Sequence, residues 1–109
     1  MLEKVWRRQA LSASGTDLLL DIMRRCQTGQ ARIKGMLPPD VVVMHKTGTL
    51  NNGITDDVGI ITLPNDAGHL VLTVFVKDAK VDEAAQERTI AQIARAAYDY
   101  FVFNVGPKT

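Results

Sequence analysis

The pair Pro38-Pro39, followed by Asp40 and the run Val41-Val42-Val43-Met44, constrains this chain more than any other stretch. Two successive prolines cannot sit inside a helix, because neither carries a backbone N–H and each ring clashes with the preceding turn. The β-branched run behind them has the pattern of a strand covered on both faces. The chain is thereby divided into a helical first third and a β-rich remainder.

Ahead of the break, Glu3 to Leu11 reads as one short helical piece with Val5, Trp6 and Ala10 available for packing. Ser12-Ala13-Ser14-Gly15 interrupts it, and Ser14 with Asp17 resembles a capping box. A second helix is predicted from near Gly15 or Thr16, with Leu19, Ile22, Met23 and Cys26 on its apolar face and Gly29 at its C-terminal cap. The single cysteine, Cys26, excludes an internal disulfide and reads as a small core residue. Trp6 reads as a packing anchor.

Behind the break, Asn51-Asn52-Gly53 and Pro64-Asn65-Asp66-Ala67-Gly68 are turn signals. They separate the Val41–Met44 strand from strands at Val58–Leu63 and His69–Lys77, and connections this short favour an antiparallel meander. Asp82 to Phe103 reads as a long amphipathic helix with Ile90, Ile93, Ala94, Ala97 and Phe101 on one face. The expected fold is α+β: two short N-terminal helices, a three-stranded antiparallel meander and a long C-terminal helix. The C-terminal helix covers only one sheet face; the two N-terminal helices can cover the other only if the tether from Gly29 to Pro39 allows it, and the doubly dry Val run points to missing partner structure.

Several function classes drop out on composition. With 109 residues the chain suits one domain, 1–109, without an internal boundary. Lys plus Arg (13) against Asp plus Glu (12) gives a net charge of +1, and no basic cluster marks a nucleic-acid partner. No metal-ligand pattern, cofactor motif or membrane span is expected, and the first eight residues have no apolar stretch of a secretion signal.

The sharpest local feature is His45-Lys46-Thr47-Gly48-Thr49, directly after the apolar run. A strand ending in a cation, two hydroxyls and a glycine can hold a carboxylate along an exposed edge. Three letters, Lys-Thr-Gly, also occur by chance at a solvated strand end. His45 reads as a packed or rim residue, while Asp57, Asp78 and Glu83 read as turn, capping or solvated groups.

The context of that motif resembles a known family. Leu18-Leu19-Leu20-Asp21-Ile22-Met23, Leu37-Pro38, Val43 to Thr49, Asp57 to Pro64, Leu72 to Asp78 and Glu87 to Ala94 stand in the order found in the C-terminal portion of a class A serine β-lactamase. The resemblance, running from about Leu2 to Phe103, implies the α/β sandwich of that family and a chain that is part of a larger domain. It implies a β-lactam substrate, hydrolysed through an acyl-enzyme. Lys46 would attract the substrate carboxylate, Thr47 would donate its hydroxyl to it, and Gly48 would keep the strand edge clear. The backbone N–H of Thr49 would form half of the oxyanion hole. Where many members place an Arg before the glycine of the next strand, this chain has Val58 before Gly59, and the resemblance transfers that role to Arg32.

What the family motif requires elsewhere is not in this sequence. Ser12 and Ser14 are its only serines and neither has Lys three positions on; there is no Ser-Asp-Asn triplet and no Glu-x-x-x-Asn. The expectation is one wall of an active site, inactive alone and completed by the missing N-terminal portion of a periplasmic or secreted parent. Strand 69–77, left without its neighbours, would then be an open edge that invites self-association. A non-catalytic, self-associating fragment and part of a penicillin-binding transpeptidase are the alternatives.

Overall fold

The computed structural model describes residues 2–50, 54–77 and 80–104. Helix α1 spans Leu2–Trp6, α2 spans Ala13–Arg24, and a 3₁₀ turn runs over Ile33–Met36. Strands β1 (Val43–Leu50), β2 (Ile54–Thr62) and β3 (His69–Val76) follow, and α3 covers Glu83–Asn104. The sheet order is β1-β2-β3 with both pairs antiparallel, the expected meander. Pro64 begins the second turn, where Asn65 and Asp66 take positive φ of 59° and 57° and the Leu63 N–H returns to Gly68 O. The Asn51-Asn52-Gly53 signal and Asp78 lie outside the described residues.

Register sorts the strand residues onto two faces. Val43 pairs with Ile61, His45 with Gly59, Thr47 with Asp57 and Thr49 with Thr55, and all of these share one face with Leu70, Leu72, Val74 and Val76. That face is closed by α3 and the 3₁₀ turn around a core of Ile33, Leu37, Val43, Ile61, Val74, Ile90, Ala94 and Tyr98. The opposite face presents Met44, Ile60 and Val71 to a smaller cluster with Val5, Leu20, Leu2, Trp6 and Leu19. The two N-terminal helices therefore do reach the second face, at one end of it.

Several local expectations are corrected. The N-cap of α2 is Ser12, whose Oγ accepts from Gly15 N at 3.1 Å, not Ser14. The helix ends at Arg24 rather than near Gly29, and it buries Thr16, Leu20 and Met23, leaving Ile22 exposed. Cys26 is half-buried beyond the helix, with Sγ against Thr28, and is no part of either core cluster. The strand at the valine run begins at Val43 and continues through the Lys-Thr-Gly motif, while Val42 is exposed. In α3 the buried residues are Gln86, Ile90, Ala91, Ala94 and Tyr98; Ile93 is exposed, because α3 is rolled toward the 3₁₀ turn.

Candidate active-site wall

Lys46, Thr47, Gly48 and Thr49 lie on β1, which among the described residues has a single strand neighbour and so forms one edge of the sheet. Alternation along the strand sends Lys46 to the α1–α2 face and Thr47 and Thr49 to the α3 face. Lys46 is exposed and its Nζ donates to Thr47 O at 2.6 Å. It lines an open apolar cavity of about 480 Å³ with Leu19, Ile22, Met23, Val58, Thr73 and Phe75 among others. Val58 stands directly across from Lys46 in the register, so the position that carries no Arg here faces the same cavity.

The loop between α2 and the 3₁₀ turn packs against the motif. Thr28 Oγ1 and Thr47 Oγ1 are 2.8 Å apart and share a hydrogen. Gly29, at φ +66°, makes that approach possible, since a side chain there would collide with the Thr47 methyl. Gly48 leaves room for the Asp56 carboxylate on the next strand: a Cβ at Gly48 would come within 2.6 Å of Asp56 Oδ1.

Arg32 is the organising side chain. It is only 3% exposed and every one of its N–H groups has an acceptor. Nε donates to Glu87 Oε2 at 3.0 Å; Nη1 donates to Gly48 O at 3.1 Å and Asp56 O at 2.9 Å; Nη2 donates to Thr49 Oγ1 at 2.6 Å and Glu83 Oε1 at 3.2 Å. The guanidinium thus ties the motif strand to the first turn of α3, and its positive charge lies behind Thr49. Glu83 is the solvated helix-start residue expected, its side chain 58% exposed, and it is also one of the two counter-ions of Arg32. The other end of that helix start is secured by Asp82, which caps Ala85 N, and by Gln86, which bridges Val81 O and the buried Thr55 hydroxyl.

His45 is packed, as expected, and its partner is a buried acid. Asp57, expected at a turn, lies inside β2 with no exposure, and its carboxylate meets the equally buried His45 Nδ1 at 3.0 Å. The alternating burial of β2 would have flagged an acidic residue on an inward position, had the start of that strand been placed at Ile54 instead of Val58. Among the described residues, no three His, Cys, Asp or Glu side chains converge as a metal site, and no helix is long and apolar enough to cross a membrane.

The structure thus joins an edge strand bearing Lys-Thr-Gly-Thr, a guanidinium on its α3 face and a sheet backed by one long helix. Residues 1–101 match the model of the β-lactamase enzyme family, and the chain belongs to that family, in its class A serine branch. It is 43% identical over 102 residues to the β-lactamase VEB-1 of Pseudomonas aeruginosa, covering 88% of this chain and 33% of that protein. It is 40% identical over 105 residues to the extended-spectrum β-lactamase PER-1 of the same species, covering 92% and 34%. A solved β-lactamase from Chitinophaga pinensis superposes with a TM-score of 0.83 at 45% identity, over 91% of this chain and 38% of that one. The chain therefore spans about a third of the length of the curated relatives it matches.

Proposed function

We propose that residues 1–109 form the C-terminal portion of a β-lactam-hydrolysing domain and supply the wall that binds the substrate carboxylate and half of the oxyanion hole. The observation that carries this reading is the bond from Arg32 Nη2 to Thr49 Oγ1, which sets a buried cation immediately behind the edge strand that bears the motif. A β-lactam carboxylate lying along that edge would meet the Lys46 charge and the hydroxyls of Thr47 and Thr49, with Arg32 strengthening the field from beneath. Because the guanidinium is fully engaged, its effect on the substrate passes through the Thr49 hydroxyl, which it polarises. The Thr49 N–H would stabilise the oxyanion of the tetrahedral intermediate, a role worth roughly 3 kcal/mol per donor in other acyl-transfer enzymes.

The partner that completes this wall is the N-terminal portion carrying Ser-x-x-Lys, the Ser-Asp-Asn triplet and the water-positioning Glu, and the intact parent works in the periplasm or outside the cell. Alone, the chain turns over no β-lactam. The relatives' names support hydrolysis over the transpeptidase alternative.

The test fuses this chain to the N-terminal portion of a class A relative and follows a chromogenic cephalosporin. Hydrolysis that falls by two orders of magnitude or more on Lys46→Ala is expected, from the loss of a charged transition-state contact. A folded fusion that leaves the cephalosporin intact overturns the reading. A second reading, association of this chain with its own copies, is favoured by β3, which has one strand neighbour and a 66% exposed Phe75. Sedimentation of a concentrated sample as a monomer removes it.

A further inference from the structure

We infer that His45 and Asp57 are positioning residues of the substrate-carboxylate site: as a buried pair they hold the 3₁₀ turn against the sheet and thereby fix Arg32 beside Thr49. The inference deepens, and rests on, the reading of Lys46–Thr49 and Arg32 given above. Both side chains are fully buried on the face that α3 and the 3₁₀ turn cover. His45 Nδ1 lies 3.0 Å from each Asp57 carboxylate oxygen, and Asp57 Oδ2 also accepts from the backbone N–H of Ile33 at 3.2 Å.

That last bond links the pair to the site. Ile33 opens the 3₁₀ turn, so its N–H is one that the turn itself leaves without a partner. The same N–H belongs to the peptide unit joining Arg32 to Ile33, so anchoring it sets the backbone direction of Arg32, at φ −92° and ψ −122°. Gly59 stands across from His45, and a Cβ there would come within 3.1 Å of His45 Cβ and 3.3 Å of Ile33 Cδ1. Strand β1, strand β2 and the turn are therefore in contact at one point, with Asp57 at its centre.

The choice of a carboxylate is what marks the pair as a device rather than filler. Apolar side chains of similar volume join three elements at least as stably as a buried charged or polar pair does. What they cannot do is accept a directed hydrogen bond from the Ile33 amide. His45 in turn meets the Asp57 carboxylate through Nδ1, and among the described residues its Nε2 has no partner. The ring is thus committed to the carboxylate, and the carboxylate to the turn that carries Arg32.

The experiment reads Arg32 directly. In the isotope-labelled 109-residue chain, hydrogen exchange is measured at the Arg32 side-chain Nε–H, at the Ile33 amide and at the Val74 amide, the last reporting the core. Asp57→Leu, which leaves the Ile33 N–H without its acceptor, is expected to speed exchange at Arg32 Nε–H about tenfold, the size of effect of losing one buried, charge-assisted bond, while Val74 stays within about twofold. If Val74 loses protection as well, His45→Gln is measured in its place, with the same expectation at a smaller amplitude. Unchanged exchange at Arg32 in a folded variant, or loss of Val74 protection in both variants, overturns the inference.

In the completed enzyme, Asp57→Leu should raise KM for a carboxylate-bearing cephalosporin about tenfold with kcat nearly unchanged. A purely structural role would lower the active fraction, and with it kcat, at constant KM. A silent wild-type fusion refutes the reading of the site and leaves the exchange measurement to decide the role of His45 and Asp57.

Discussion

The two faces of the three-stranded sheet are finished to different degrees. On the α3 face, Ile61 and Val74 meet Ile90 and Ala94 at one end, and at the other end the buried polar groups around the motif strand are paired: Arg32 with five acceptors, Asp57 with His45 and Ile33, Thr55 with Gln86. On the α1–α2 face, Met44, Ile60 and Val71 are covered, but Lys46, Val58, Thr73 and Phe75 border an open apolar cavity of about 480 Å³. Ile22 on α2, half-exposed, lines that opening. The contrast teaches where this chain is self-sufficient. The face that presents Thr47 and Thr49 is closed by α3 and the 3₁₀ turn, whereas the face that presents Lys46 keeps an open apolar cavity.

Four substitutions test that contrast, and the largest effect belongs to the closed face. Arg32→Met removes the guanidinium and strands Gly48 O, Asp56 O and the Glu87 carboxylate, so urea denaturation followed by Trp6 fluorescence should show a loss of about 3–5 kcal/mol. A loss below about 1 kcal/mol would mean that the network is looser than its geometry implies. Ile90→Ala, at a position with no exposure, should cost about 3 kcal/mol by the same assay through the cavity it leaves. Ser12→Ala removes the cap of α2 and should cost about 1 kcal/mol, read as reduced helical circular dichroism and a lower midpoint.

The smallest change in stability is expected on the open face. Phe75→Asp should alter folding stability by no more than about 0.5 kcal/mol, since the ring is 66% exposed. Its effect should instead appear in sedimentation, as weaker self-association, and in poorer recovery of a fused or mixed N-terminal portion. If Phe75→Asp destabilises the chain as much as Ile90→Ala does, the open face is a second core and the contrast fails.

How much of this was legible beforehand varies by element. The meander, the long last helix and the Lys-Thr-Gly strand could be read from turn residues, helical spacing and one motif, because each is a pattern within a dozen neighbouring positions. Arg32 could be named only through a family resemblance; nothing local distinguishes it from any loop arginine. Its acceptors lie 16 to 55 positions away in sequence, on β1, β2 and α3. Asp57 was misread as a turn residue for a related reason. Asp56-Asp57 is a pair that local statistics place in loops, and the pull of cross-strand pairing from Ile54 onward overrides them. Leu20 displaced Ile22 on the buried side of α2 because the sheet, not the helix, chooses which part of a broad apolar stripe is covered.

By itself, then, the sequence determined the break at Pro38-Pro39, the β-rich half behind it and the residues that could meet a carboxylate, all through backbone stereochemistry and short-range periodicity. Only the tertiary structure decided that Arg32 is buried behind Thr49, that His45 and Asp57 meet inside the sheet, and that one face is closed while the other keeps an open cavity. Those outcomes depend on strand register and on which helix packs where. Both are settled by contacts between residues far apart in sequence, whose energies no local pattern encodes.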